Sequence, residues 1–118
     1  MRNTKTHKQT IELINNILTQ YNIDAKERKM TKGKHEWENS VVYLWAIENM
    51  CYIDIFVVEN KNFHENKNKV SIHIYKENSP KYIIKDLLIN QYKTTEQYFD
   101  AIKEGLTNAL NSLNTLNI

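Results

Sequence analysis

The chain has 118 residues, 41% hydrophobic and 25% charged, a balance that describes a globular domain and excludes a disordered segment. That length suits one domain over 1–118, with a core large enough to fold without metal or disulfide staples. The single Cys51 excludes an internal disulfide framework and fits a reducing compartment. No apolar run approaches the roughly 18 residues of a membrane span, and the N-terminus leads into an amphipathic segment rather than a signal-peptide core, so a cytoplasmic location without membrane contact is expected.

The net charge of +2 is unevenly spread: residues 1–34 carry a balance of +5 and residues 35–118 a balance of −3. With two glycines and one proline, turns fall to Asn, which tolerates the left-handed conformation best after Gly. The heavy use of Asn, Lys and Ile is typical of AT-rich coding, as in low-GC bacteria and their phages.

Thr6 and Gln9 have the spacing of a capping box, and Ile11, Ile14, Ile17, Leu18 and Tyr21 follow at helical period. These predict a helix from Thr6 to Tyr21, stopped by a left-handed Asn22 and clasped by Ile23. Residues 24–35 hold Lys26, Arg28, Lys29, Lys32 and Lys34 with no apolar period, and read as a mobile basic connector.

Residues 41–47 and 51–58 are rich in β-branched and aromatic side chains and read as two strands, joined at Glu48-Asn49 by a tight turn in which Asn supplies the positive φ. Lys69 to Lys76 is a third strand, with Val70, Ile72 and Ile74 alternating against Ser71, His73 and Tyr75. After Glu77-Asn78-Ser79-Pro80 two readings compete. Ser79 as N-cap would open a short helix that groups Ile83, Ile84, Leu87 and Leu88, and this is preferred; an edge strand over Tyr82 to Ile84 is the alternative. Thr94 and Gln97 then cap a final helix carrying Phe99, Ile102, Leu106, Ala109, Leu110 and Leu113. Gly105 within it suggests close packing against the sheet. The expected architecture is α+β, a two-layer sandwich ordered helix, three antiparallel strands, short helix or edge strand, helix.

Side chains alternate along a strand, so assigning Val42, Leu44, Ala46, Ile53, Ile55, Val57, Val70, Ile72 and Ile74 to the helices assigns the opposite face too. That face holds Tyr43, Trp45, Ile47, Tyr52, Asp54, Phe56, His73 and Tyr75. The solvent side of an antiparallel sheet is ordinarily polar, whereas this one is aromatic and points to a binding surface. The partner-binding candidates are Tyr43, Trp45, Tyr52, Phe56, His73 and Tyr75, with the basic connector steering an acidic partner. Segment 83–92, or the loop carrying Phe63, would instead convert this face into a second core by folding over it.

Stacked aromatics also hold single-stranded nucleic acid, but such platforms are ringed by Lys and Arg. Here the positive charge lies in 1–34 and Asp54 sits amid the rings, which favours a protein partner or self-association. Nucleic-acid binding through Lys26, Arg28, Lys29, Lys32 and Lys34 is the alternative. His35, His64 and His73 have no metal-ligand spacing, and neither metal nor cofactor is expected. Glu59-Asn60-Lys61 matches half of a Mg²⁺-nuclease signature whose second acid would be Asp54 or Glu48, a remote enzymatic alternative. Cys51 reads as a buried thiol without an activating base.

Two resemblances follow. Helix, three strands, helix is similar in order to the double-stranded RNA-binding domain, but the lysine run opening that family's second helix is reduced here to Lys93 in Lys93-Thr94-Thr95-Glu96-Gln97, and its loop motif is replaced by Glu48-Asn49. The segment 92–110, with its Thr94-Thr95-Glu96 cap, Ala101-Ile102, Gly105-Leu106 and Ala109-Leu110, resembles the closing helix of short phage and mobile-element accessory proteins. That resemblance implies a small non-enzymatic inhibitor acting by occlusion, of the anti-CRISPR, anti-defence or antitoxin and immunity kind.

Overall fold

A computed structural model describes residues 4–32, 39–48, 50–60, 68–77, 79 and 82–113. The chain runs α1 (Thr4–Gln20), β1 (Lys26–Lys32), β2 (Asn39–Glu48), β3 (Cys51–Asn60), β4 (Lys69–Lys76), β5 (Tyr82–Leu88), a 3₁₀ turn at Ile89–Gln91, and α2 (Thr95–Asn111). The fold is α+β, and the sheet has five antiparallel strands in sequential order rather than three.

Both helices lie on the aliphatic face. Ile14, Ile17 and Leu18 from α1, and Ile102, Leu106, Ala109 and Leu110 from α2, share one buried cluster with Val42, Leu44, Ala46, Ile53, Ile55, Val57, Val70, Ile72 and Ile74. All nine strand residues assigned to the helices are therefore core. Tyr98, rather than Phe99, opens the buried stripe of α2; burial, and to a lesser extent Tyr92, pushes its phenol well above the usual range, so it stays protonated.

The helix ends follow local chemistry. Asn22 adopts φ 58°, Ile23 N–H reaches the Leu18 carbonyl at 2.9 Å, and Asn22 N–H reaches that of Thr19 at 2.9 Å, the paired bonds of a Schellman stop clasped by buried Ile23. The chain is already helical at Thr4, so Thr6 and Gln9 lie inside α1 and do not cap it; the Thr6 carbonyl accepts from the Thr10 hydroxyl instead. At α2, Thr94 accepts from Gln97 N–H, while the Gln97 side chain accepts from Lys93 N–H.

Three other expectations change. The basic connector is an edge strand: Lys26 to Lys32 pair with Trp45 to Asn39. Its side chains from Lys26 to Lys29 are exposed, so no apolar period is needed there, and such charges are the means by which sheet edges resist further pairing. Segment 82–88 is strand rather than helix, and it extends the sheet instead of covering its aromatic face. Ile83 and Leu87 pack against the core, while Tyr82 and Ile84 are exposed. Finally, Glu48 pairs with Cys51, which moves the β2–β3 turn to residues 49 and 50; Met50 carries the left-handed φ of 66°, and Asn49 lies outside the described residues.

Gly105 faces β5, but a methyl group there would stand 3.6 Å from Leu87 Cδ1, an ordinary van der Waals contact. The glycine is not required by packing and keeps its entropic cost within the helix. Gly105→Ala is expected to raise stability by about 1 kcal/mol, read as a shift of the urea midpoint at unchanged m-value.

Candidate docking face

Strand pairing arranges the second face as rows running across the sheet. One row is Lys26, Trp45, Asp54, His73 and Ile84; the next is Arg28, Tyr43, Phe56, Ser71 and Asp86. Towards the β2–β3 turn lies a third row of Ile47, Tyr52, Tyr75 and Tyr82. The six residues selected from the sequence, Tyr43, Trp45, Tyr52, Phe56, His73 and Tyr75, are thus brought together on three adjacent strands. Among the described residues no helix lies over them, both α1 and α2 being packed on the opposite face. Phe63, the other proposed cover, is outside the described residues.

The rings are organised as stacks. Tyr43 stacks on Phe56 across the strands at 4.7 Å and 8°, and on Trp45 along its own strand at 4.9 Å and 21°. Tyr52 stacks on Tyr75 at 5.3 Å, and His73 meets Phe56 edge-on at 6.1 Å. Cross-strand spacing is close to ring-stacking distance, so neighbouring rings standing on the sheet satisfy one another's faces and direct their edges outward.

Asp54 is the polar centre of this array. Its carboxylate accepts from the Tyr43 hydroxyl at 2.5 Å and also from Tyr75. Burial first, and the Asp54 carboxylate second, push both phenols above their usual range. Tyr52 donates to Glu77 at 2.9 Å, and that bond is the main reason its phenol is raised.

Exposure is graded along the face. On β2 it rises from 1% at Val41, through half-buried Tyr43 and Trp45, to 65% at Ile47. The large exposed apolar residues, Ile47, Met50, Tyr75, Tyr82 and Ile84, all gather at the end nearest the β2–β3 turn and β5. An open groove of about 510 Å³ lies there, with His73, Tyr75, Tyr82 and Ile84 among its walls. Sequence reasoning missed Met50, Tyr82 and Ile84. The alternation of Tyr82 and Ile84 against Ile83 was the available signal, masked by a spacing that also suits a helix.

The basic residues divide. Register sets Lys26 and Arg28 beside Trp45 and Tyr43 at the rim of the aromatic face, whereas Lys29 pairs with core-facing Val42 and points to the other side. The backbone of Lys32 pairs with Asn39, and Lys34 lies outside the described residues. The nuclease arrangement does not assemble, because Asp54 and Glu59 are an odd number of residues apart on β3 and occupy opposite faces. Glu48 sits at the far end of β2 against Cys51, and Lys61 is outside the described residues. His35 and His64 are likewise outside them, and no cluster of His, Cys, Asp or Glu suited to a metal occurs among the described residues. Cys51 is fully buried; burial raises its thiol, an effect that the nearby Lys76 only partly opposes.

A scan against protein-family models and searches of curated proteins and of solved structures found no match. No helix among the described residues is long and apolar enough to cross a membrane. The two strands added at the edges also separate this order from the helix, three strands, helix of the double-stranded RNA-binding domain.

Replacing Asp54 by Asn removes a negative charge from beside two phenols. Tyr43 and Tyr75 should then ionise at lower pH than in the parent, read as an earlier rise of phenolate absorbance in an alkaline titration.

Proposed function

We propose that this chain is a non-enzymatic interaction protein that docks a protein partner on the aromatic face of its sheet. The observation behind this reading is the set of rings on β2, β3 and β4, opposite both helices and increasingly exposed towards Ile47, Tyr75 and Tyr82. Such side chains bury large areas at small entropic cost, which is why they anchor interfaces. The stacks favour a protein over nucleic acid: a base needs an open ring face, and the faces here are turned towards one another. Acting by occlusion, in the manner of a mobile-element inhibitor of host defence or an antitoxin, requires such a surface and no catalytic group.

Replacing Trp45 and Tyr75 together by Ala should abolish capture of the partner from an extract of the native source, with the far-ultraviolet circular dichroism spectrum unchanged. Ile47→Glu, at a residue already exposed, should weaken capture without touching the core. Full retention of binding in both variants overturns the reading.

A second reading has its own observation, the placement of Lys26 and Arg28 at the rim of the rings by β1. It requires that a labelled single-stranded oligonucleotide bind with an affinity falling steeply as salt is added, and that Lys26→Ala with Arg28→Ala flatten that dependence. No binding at low salt eliminates it.

A further inference from the structure

The two ends of the sheet differ in chemistry. β1 carries Lys26, Arg28, Lys29 and Lys32, whereas β5 reads Tyr-Ile-Ile-Lys-Asp-Leu-Leu. β5 is the last strand of the sheet, and among the described residues nothing pairs with its outer side. An unpaired edge of this kind is a template that another strand can complete.

The backbone groups available there follow from one hydrogen bond. Ile89 N–H donates to the Asn68 carbonyl at 2.9 Å, and this pair continues the β4–β5 register. Bonded and non-bonded pairs alternate in an antiparallel ladder. Leu87, Lys85 and Ile83 therefore bond to β4, while Asp86, Ile84 and Tyr82 direct their N–H and C=O groups away from it. Tyr82 and Ile84, at 64% and 51% exposure, are also among the most exposed large apolar side chains of the described residues.

We propose that a second copy of this chain occupies the edge, joining β5 to β5 antiparallel about a two-fold axis at Ile84 and fusing two sheets into one. In this register Ile84 meets Ile84 of the other copy, and Tyr82 meets the other copy's Asp86 twice. All three are bonded pairs that use the outward groups. Ile83 lies against the aliphatic stem of Lys85 between them. Like charges disfavour two neighbouring registers, since an axis at Lys85 sets two ammonium groups face to face and one at Asp86 sets two carboxylates so. An axis at Ile83 would set Tyr82 against Ile84 and leave no Ile84–Ile84 pair to cross-link. The charge on β1 excludes the same union at the opposite end. The pairing uses the outward backbone groups of β5, while the Tyr82 and Ile84 side chains belong to the aromatic face proposed to hold a partner, so the union extends that face across both copies.

Sedimentation velocity of the purified chain should show a concentration-dependent species of twice the monomer mass. Ile84→Pro deletes an N–H that β4 does not use, and Ile84→Lys places like charges across the axis; each should give monomer. Ile84→Cys should cross-link on oxidation, since Cα atoms of a bonded pair, about 5.5 Å apart, lie within disulfide range. Asp86→Cys should not, and Cys51 is too deeply buried to take part. A chain that stays monomeric at every concentration overturns the proposal. So does a dimer that survives both Pro and Lys at this position, or one in which Ile84→Cys fails to cross-link.

Discussion

Everything in this molecule hangs on the strict alternation of side chains along β2, β3 and β4. Val42, Leu44, Ile53, Ile55, Val70, Ile72 and Ile74 are buried beneath two helices, so their sequence neighbours have to face the other way. A register slip of one residue in β3 or β4 would bury Asp54 or His73 under a helix and push isoleucines outward, and one in β2 would turn Tyr43 and Trp45 inward and Val42 and Leu44 outward. The desolvation of those polar groups, together with the lost aliphatic burial, holds the register in place. The aromatic face is the geometric counterpart of the core.

That face is internally organised rather than merely greasy. Rings one strand apart pack face to face, and Asp54 accepts hydrogen bonds from the Tyr43 and Tyr75 hydroxyls on either side. Among the described residues the carboxylate is held by phenols rather than by cations. The stacks also fix what the surface offers: ring edges, hydroxyl groups at the tips, and an apolar end around Ile47, Tyr75 and Tyr82.

The sheet ends complete this picture. β1 is a strand because β2 offers it a ladder, and it brings Lys26 and Arg28 to the rim while its charges resist a further strand. β5 closes the other side with apolar and tyrosine side chains, leaving outward backbone groups beside a groove of about 510 Å³. The same fold thus presents one edge strand of charged residues and another that, among the described residues, has no partner on its outer side.

Sequence alone determined the elements whose partners are local or whose burial is strong: α1 with its Asn22 stop, α2 with its Thr94 cap, the three central strands, and through their alternation the identity of both sheet faces. Tertiary structure alone decided the edges. Residues 26–32 carry no apolar period because an edge strand of charged residues is stabilised by its neighbour's backbone, a contact that local sequence does not record. Residues 83, 84, 87 and 88 satisfy helical spacing as well as strand alternation, and pairing with β4 chose between them. Where the aromatic face lies open was equally non-local. Its exposed end depends on β5 bringing Tyr82 beside Tyr75, across a turn whose outcome local spacing left undecided.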